Sequence, residues 1–331
     1  MSSQLYISIN DNFFIKNNIS SELLDKCFAF IESQSGVKRN LIEKTFKKKI
    51  LHSIEFPKKI NSENIDIVIK TKYNKDYKFI SLSKSLIFYE CNYKTSIFMN
   101  KINKFKLDKI NFFPSTNLSG NIVYQQLAKG NFYQPNKFSN RNSLLLKNIS
   151  KVIDNLSSMK KKEVKIANYL NNFKFSKRVI TDSLNTTAIN NFFLFLKKNQ
   201  DQNIVISLTH GDLKFEHLFI LDNQLEYVID WENADVRSIF FDLLNFFIPW
   251  FVRRSYDYIQ IKKYIFVFIQ KYLPNLESLI LKRYDIYFSI YGLERYKRML
   301  EVRTIEFDLD AAYKRYHLLL NKLSEELNRE H

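Results

Sequence analysis

The hydrophobic pattern of the first part of the chain predicts one helix followed by short strands. Apolar residues recur at helical spacing over residues 21–33, directly after a serine that is able to cap a helix. Three short runs rich in β-branched and aromatic residues follow at 50–56, 65–71 and 77–83, and polar turn clusters separate them. We expect these runs to form a three-stranded antiparallel meander.

The pattern then alternates between helical and extended segments. Apolar residues at helical spacing predict a helix over residues 85–104, which contains Glu90, and a strand is expected over 121–127. Further helices are predicted over 143–159 and 188–198, and after these the chain returns to β structure before a last set of long helices.

This order of elements predicts an α+β fold with two lobes. The N-terminal lobe covers residues 1–127 and contains an antiparallel sheet and one helix after the first helical region. The polar segment 128–142 is the expected hinge or linker, and the mainly helical C-terminal lobe covers 143–331.

Composition is that of a folded chain with a basic surface. The 331 residues are 45% hydrophobic and 15% aromatic, which provides enough apolar side chains for a substantial core. The formal net charge of +17 indicates either an anionic partner or a lysine-rich solvated surface. Since net charge alone supports a nucleic-acid partner, we do not expect one. Two cysteines far apart in sequence do not indicate a disulfide framework or a thiolate metal site.

No targeting or membrane-spanning segment is expected. The N-terminal residues lack a basic start that leads into an apolar run, so a cytoplasmic location is expected. The longest apolar stretch, residues 239–252, is shorter than the roughly 20 residues that span a bilayer, and it contains Asp242 and Asn245. This stretch is typical of a core helix.

A β-hairpin is predicted within the β region of the second half. Residues 218–221 and 225–229 are apolar, and they flank an Asp-Asn-Gln sequence that favours a tight turn. His217 and Asp230 are almost equally far from this turn, so an antiparallel return places them side by side at the open end. Asp212 arrives from the loop just before.

Two carboxylates and an imidazole at one end of a hairpin suit a hard cation and a hydroxyl substrate. Phosphoryl transfer needs such a set, because it requires a group that positions the attacking hydroxyl and ligands for a metal that bridges the nucleotide phosphates.

The sequences around these residues resemble a known family. His210-Gly211-Asp212 and the later segment Ile229-Asp230-Trp231-Glu232 resemble the catalytic loop and the metal-binding segment of aminoglycoside and choline phosphotransferases, which have a bilobal protein-kinase-like fold. The resemblance extends over about residues 50–250. It implies that Asp212 is the catalytic base, that Asp230 is the main magnesium ligand, and that His210 and Asp242 support the catalytic loop. ATP and Mg²⁺ are the implied cofactors.

His217 departs from the family pattern, in which asparagine is usual at this place. Lipopolysaccharide core kinases of the Kdo and heptose class also carry a histidine here, so His217 is compatible with activity and moves the expected substrate toward saccharides. Because magnesium prefers oxygen ligands, His217 either binds the metal or holds Asp212 or a phosphate by hydrogen bonding.

The kinase template also requires a lysine on a strand and a glutamate on the following helix, both near the nucleotide phosphates. By the resemblance, Glu90 is the glutamate and Lys78 the first candidate lysine. Ser81 occupies the motif position itself, and Lys70 and Lys84 are the alternative lysines.

Two further contacts follow from the same template. Gln125, Gln126 and Leu127 resemble the segment whose backbone meets adenine, and Glu232 is placed to meet a polyhydroxylated or cationic substrate.

The sequence therefore predicts an ATP- and Mg²⁺-dependent phosphotransferase that acts on a hydroxyl of a small molecule. A sugar or a glycolipid precursor of an envelope polysaccharide is the first expectation, and the basic C-terminal helices fit contact with a glycolipid or a membrane surface. A choline or aminoglycoside kinase is the nearest alternative. A pseudokinase that serves as a nucleotide-binding or regulatory module is the alternative from another class.

Overall fold

A computed structural model describes most of the chain. The described residues are 3–35, 37–57, 60–70, 77–91, 93–128, 131–132, 143–171, 183–222, 224–253, 256–303 and 311–330. The chain divides into two compact units, of which the first comprises residues 1–138 and 215–232 and the second comprises 139–214 and 233–331. Most of the predicted hinge, residues 128–142, lies outside the described residues.

The first unit is built on an eight-stranded antiparallel sheet. Its strands are β1 (Ser3–Ser8), β2 (Phe13–Lys16), β3 (Leu51–Glu55), β4 (Ile67–Lys70), β5 (Tyr77–Ser81), β6 (Leu86–Glu90), β7 (Thr116–Ser119) and β8 (Ile122–Gln126). Across the sheet the order is β3-β1-β2-β4-β5-β6-β8-β7. The same unit contains α1 (Ser21–Ser35), α2 (Arg39–Lys47) and α3 (Tyr93–Phe105).

A smaller antiparallel sheet completes the first unit. It consists of β9 (Asn131–Phe132), β12 (Leu218–Leu221) and β13 (Gln224–Val228), in the order β13-β12-β9. The predicted hairpin is thus confirmed as β12 and β13, with one register shift between Phe219 and Ile220.

Both faces of the large sheet carry buried apolar side chains. On one face Tyr6, Phe56 and Phe79 belong to a core with further strand residues. On the other face Ile15, Ile67 and Ile80 pack in a cluster with Cys27, Phe28 and Ile31 of α1 and with Ile42 of α2. Helix α1 therefore buries its apolar stripe against the sheet, as the helical spacing over residues 21–33 predicted.

The predicted three-stranded meander is confirmed in the antiparallel pairing of its second and third strands, β4 and β5, and is wrong in the pairing of its first strand. Strand β3 pairs with β1, and β4 pairs with β2 on one side and β5 on the other. The prediction missed the hairpin of β1 and β2, whose turn is fixed by the Asn10 side chain accepting from the backbone N–H groups of Asn12 and Phe13. An Asn-Asp-Asn turn between apolar runs is a hairpin signal in the sequence.

The predicted helix over residues 85–104 is also wrong in its first part. Residues 86–90 form β6, which pairs with β5 and β8, and the helix begins only at α3. Ser85 adopts a left-handed backbone conformation, with φ of 52°, in the tight turn before β6. Pairing with strands on both sides overrides the local helical spacing, so Glu90 ends a strand and does not lie on a helix.

The second unit is mainly helical. Its helices are α4 (Ser143–Ser158), α5 (Ile166–Leu170), α6 (Ser183–Lys198), α7 (Phe241–Arg253), α8 (Tyr258–Tyr272), α9 (Pro274–Ile280), α10 (Tyr284–Arg303) and α11 (Ala311–Glu330). A three-stranded antiparallel sheet accompanies them, with β10 (Lys162–Lys165) and β14 (Asp235–Ser238) on either side of β11 (Asn203–Thr209). The predicted α+β class is confirmed.

The apolar stretch over residues 239–252 forms the buried helix α7, as expected. Within the described part of the chain, no helix combines the length and the apolar character needed to cross a membrane.

A buried polar cluster joins three elements of the second unit. Glu294 of α10 accepts a hydrogen bond from the Tyr169 hydroxyl of α5, and it also accepts from the backbone N–H of Ser238, at 3.0 Å. Arg237 lies near enough to favour the charged carboxylate, but burial dominates and raises the pKa of Glu294 to about 7. This carboxyl group therefore titrates near neutral pH.

Replacement of Glu294 by glutamine should make folding less dependent on pH. Because the pKa of Glu294 is raised in the fold, its protonation stabilises the native state below about pH 4.5, and this contribution is lost as pH rises through about 7. We expect the free energy of unfolding of Glu294→Gln, relative to the original chain, to increase by about 1–3 kcal/mol between pH 5 and pH 8. Urea unfolding at several pH values measures this difference. The exposed Glu163→Gln is the control and should show no such trend; parallel pH profiles for Glu294→Gln and the original chain would contradict the assignment.

Candidate active site

The loop after β11 is held by a buried carboxylate. Asp242, in the first turn of α7, accepts hydrogen bonds from the backbone N–H groups of His210 at 2.6 Å and Gly211 at 2.9 Å. Burial raises the pKa of Asp242 to about 6, although these two N–H groups and nearby Arg237 favour its charged form. Asp242 thus fixes the backbone of the two residues that precede Asp212.

Gly211 occupies a position that a side chain would not fit. Its φ is +80°, and a Cβ atom would lie 2.2 Å from the Asn233 carbonyl oxygen and 2.6 Å from Arg237 Nη1. Arg237 in turn donates to Thr209 Oγ1 at 2.8 Å and to the Asn233 carbonyl at 3.0 Å. The loop therefore passes close to the backbone at Asn233, and this close approach requires glycine.

Asp212 comes directly after Gly211 and is held by contacts within the same loop. Its backbone N–H donates to Nδ1 of buried His210 at 3.2 Å, and its carboxylate lies 3.3 Å from Lys214 Nζ. The next turn is also held, because Asn245 of α7 donates to the Leu213 carbonyl at 3.2 Å. Asp212 belongs to the second unit, and four residues connect it to His217 of the first.

The hairpin of the first unit brings His217 and Asp230 together. The backbone N–H of Ile229 donates to the His217 carbonyl at 2.9 Å, and His217 Nε2 lies 3.1 Å from Asp230 Oδ2. His217 is buried, whereas the Asp230 side chain is 39% exposed. The side-by-side placement at the open end of the hairpin agrees with the sequence prediction.

Asp230 has a strained backbone. Its φ is +67°, in the left-handed region that a residue with a side chain rarely adopts. The backbone is held on both sides, because Val228 N donates to the Phe112 carbonyl and Trp231 Nε1 donates to the Val228 carbonyl. Strain of this kind is typical of functional positions, and here it turns the carboxylate toward a cavity.

This cavity has a volume of about 300 Å³ and lies within the first unit. Its apolar walls come from β4, β5, β6, β12, α1 and α3, while Lys78, His217, Asp230 and Glu232 contribute charged or titratable groups. The lining residues are Phe30, Gln34, Ile69, Lys78, Ile80, Ile87, Tyr89, Phe98, Gln125, Gln126, Leu127, Ala128, His217, Phe219, Ile229, Asp230, Trp231 and Glu232. Concave, mostly apolar cavities with a few convergent polar groups are the usual form of small-ligand sites.

Lys78 lines this cavity, and neither alternative lysine does. It pairs with Tyr89 of β6 in the strand register, and its Nζ lies 5.5 Å from the centre of the Tyr89 ring. Burial raises the pKa of Tyr89, and the nearby Glu232 carboxylate adds to this effect, so the hydroxyl stays protonated. Lys70 is absent from the lining, and Lys84 lines a separate surface groove.

Glu90 does not line the cavity, so the structure does not bring it together with Lys78 there. The helix that follows its strand, α3, instead directs Lys101 to the segment after Asp230, where its Nζ donates to the Glu232 carbonyl at 2.8 Å. The predicted glutamate was wrongly placed because its helix was predicted to begin too early.

The cavity is also lined by the predicted adenine-binding segment, Gln125, Gln126 and Leu127. Two polar groups of this segment already form hydrogen bonds within the protein. The backbone N–H of Leu127 donates to the Ser85 carbonyl at 2.8 Å, and Gln126 Nε2 donates to the Tyr227 hydroxyl at 2.6 Å. A ligand that reaches this end of the cavity therefore meets a segment whose Leu127 N–H is committed to the sheet.

Phe30 and Gln34 are among the cavity residues that were not predicted. Both belong to α1, which the sequence identifies only as a helix. Their position depends on packing of α1 against a sheet whose strands lie up to about 90 residues further along the chain, and no local pattern carries that information.

Substitution of Gly211 by alanine should destabilise the loop after β11. An alanine here would be strained at its positive φ, and its Cβ atom would overlap with the backbone of Asn233. We therefore expect a loss of about 2–4 kcal/mol in the free energy of unfolding. Gly120→Ala is the matched control, since Gly120 also has a positive φ, of 63°, but lies in an exposed turn, and it should cost only about 1 kcal/mol. Equal losses for the two variants in chemical denaturation would contradict the tight fit of Gly211.

Comparison with known proteins agrees with this geometry. A family model described as "Phosphotransferase enzyme family" matches residues 180–267, which include the loop at Asp212, the hairpin and Asp242. Among curated proteins, none matches the chain.

Three solved structures resemble the chain. A thermostable mutant of aminoglycoside phosphotransferase APH(4)-Ia in ternary complex with AMP-PNP and hygromycin B has a TM-score of 0.50 at 12% identity, over 78% of this chain and 93% of that one. Choline kinase LicA from Streptococcus pneumoniae has a TM-score of 0.49 at 14% identity, over 77% and 91% of the two chains. Amicoumacin kinase hAmiN in complex with AMP-PNP, Ca²⁺ and Ami has a TM-score of 0.49 at 11% identity, over 79% and 89%.

The aminoglycoside phosphotransferase likeness shows a shared kinase-like fold, and the family model matches the segment that carries the catalytic motif. The predicted resemblance is thereby confirmed at the level of the fold and, for residues 180–267, by the match to the phosphotransferase family model.

Proposed function

We propose that this protein is a kinase that transfers the γ-phosphoryl group of ATP to a hydroxyl of a small molecule, with a saccharide or a glycolipid precursor as the acceptor. The observation that carries the proposal is the cavity of the first unit, because an apolar chamber and the group Lys78, His217 and Asp230 line the same space. An apolar chamber suits a nucleobase, and the charged group suits its phosphates.

The donor set fits a magnesium ion. Asp230 offers a half-exposed carboxylate, which is the oxygen ligand that Mg²⁺ prefers. His217 Nε2 is within hydrogen-bonding distance of the same carboxylate, so we assign His217 the role of orienting Asp230. When bound, the ion would neutralise phosphate charge and align the γ-phosphoryl group for transfer.

Asp212 is the proposed catalytic base. Its backbone is fixed by the adjoining contacts of His210 and Gly211 to Asp242, which limits the positions that its carboxylate can adopt. In transfer to an alcohol, such a carboxylate accepts the proton of the attacking hydroxyl as the oxygen–phosphorus bond forms and the bond to ADP breaks. Lys214 Nζ lies 3.3 Å from this carboxylate.

The saccharide acceptor is supported by His217, which stands where the family usually has asparagine and where lipopolysaccharide core kinases carry histidine. Glu232 lines the cavity beside this group and offers a carboxylate to the hydroxyls of a sugar. The aminoglycoside phosphotransferase of similar fold forms a ternary complex with hygromycin B, so an aminoglycoside-like acceptor is the nearest alternative.

The lysine assignment is tested by nucleotide affinity. Removal of a charge-assisted contact to phosphate should raise the dissociation constant of AMP-PNP with Mg²⁺ about 10- to 100-fold in Lys78→Ala. Lys84→Ala is the matched control, since Lys84 lies outside this cavity and should leave the affinity unchanged. Titration calorimetry on both variants decides, and equal affinity for Lys78→Ala and the original chain would remove Lys78 from the phosphate site.

The function itself is tested by phosphate transfer from labelled ATP to sugars, aminoglycosides and choline. We expect transfer to a sugar or glycolipid hydroxyl, and we expect Asp212→Asn to lower the rate at least about 100-fold while AMP-PNP affinity stays within about twofold. Unchanged transfer by Asp212→Asn would disprove the assigned base. AMP-PNP binding by the original chain without transfer to any acceptor would instead favour a regulatory pseudokinase.

A further inference from the structure

Helix α1 gives the cavity a wall that the phosphotransferase motifs do not describe. Phe30 and Gln34 are one helical turn apart on α1, so they lie on the same face of the helix, and both line the cavity. Phe30 packs against the same apolar cluster as Ile69, Ile87 and Leu127, three other lining residues. One end of the cavity is thus an apolar chamber that includes Leu127 and is covered by α1.

The polar groups of this chamber are unequally available. Leu127 N–H and the Gln126 side chain already donate to Ser85 and Tyr227. Gln34, by contrast, makes one long hydrogen bond to the residues that the structure describes, from Nε2 to Ser33 Oγ at 3.5 Å. Its amide oxygen and second amide hydrogen therefore remain for a ligand.

We infer that α1 recognises the nucleobase, with Phe30 stacking on the ring and Gln34 hydrogen-bonding to its edge, and that Gln34 selects adenine over guanine. An aromatic ring stacks on any base, whereas a side-chain amide pairs in a bidentate manner with the amino group and ring nitrogen of adenine. On the corresponding edge of guanine both groups, O6 and N7, are acceptors. The amide oxygen of Gln34 would therefore have no donor to pair with. This inference rests on the proposed function, because it assumes that the cavity holds the nucleotide.

The experiment compares AMP-PNP, GMP-PNP and inorganic tripolyphosphate, each with Mg²⁺, by titration calorimetry. In Gln34→Leu we expect AMP-PNP to bind about 5- to 10-fold more weakly, the preference over GMP-PNP to fall by the same factor, and tripolyphosphate binding to be unchanged. In Phe30→Leu we expect both nucleotides to lose affinity by about the same factor, at least fivefold, with tripolyphosphate again unchanged. Lys26→Leu, on an exposed position of α1, is the matched control and should leave all three affinities unchanged.

The outcomes separate the two ideas. If the original chain prefers AMP-PNP and Gln34→Leu keeps both the affinity and the preference, base recognition by α1 is wrong and the proposed function stands. Equal weakening of AMP-PNP, GMP-PNP and tripolyphosphate in Gln34→Leu also overturns the inference, because it indicates a general structural effect. If the original chain binds neither nucleotide, both the inference and the proposed nucleotide site fail.

Discussion

The buried contact between the Asp242 carboxylate and the backbone N–H groups of His210 and Gly211 is the constraint on which the loop before Asp212 depends. Two backbone donors and one carboxylate fix two successive peptide groups, and the tight passage of Gly211 past Asn233 leaves the loop little freedom. A carboxylate with a pKa of about 6 in this position shows that burial outweighs its hydrogen bonds. Burial therefore disfavours the charged form of Asp242, and the same carboxylate fixes the backbone of the two residues before Asp212.

In the first unit, an unfavourable backbone conformation likewise accompanies the positioning of a site residue. Asp230 keeps a left-handed backbone because the hairpin, Phe112 and Trp231 fix the chain on either side of it. His217 then holds the carboxylate from a buried position. Asp230 therefore combines a strained backbone with a contact to a buried histidine, and the surrounding sheet supplies the stability that compensates for this strain.

How much the sequence could predict depends on how local the deciding interactions are. The hairpin at His217 and Asp230 was predicted because turn residues and apolar strands adjoin in the chain. The helix over residues 85–104 was predicted wrongly, since β6 owes its conformation to β5 and β8, which the spacing of its own residues does not reveal. The roles of Asp242 and of α1 at the cavity also depend on long-range packing, and only the family motif pointed to the first of them.

The charges that line the cavity have a consequence for its chemistry. The chain carries a formal net charge of +17, yet among the described lining residues Lys78 is the only lysine or arginine, and it is accompanied by Asp230 and Glu232. A triphosphate carries several negative charges, and one lysine beside two carboxylates does not balance them. The charge of this lining agrees with the proposal that the nucleotide arrives with a divalent cation, for which Asp230 is the proposed oxygen ligand. The excess of lysine elsewhere therefore does not replace the metal, and the local balance of charge, rather than the overall one, determines what the cavity binds.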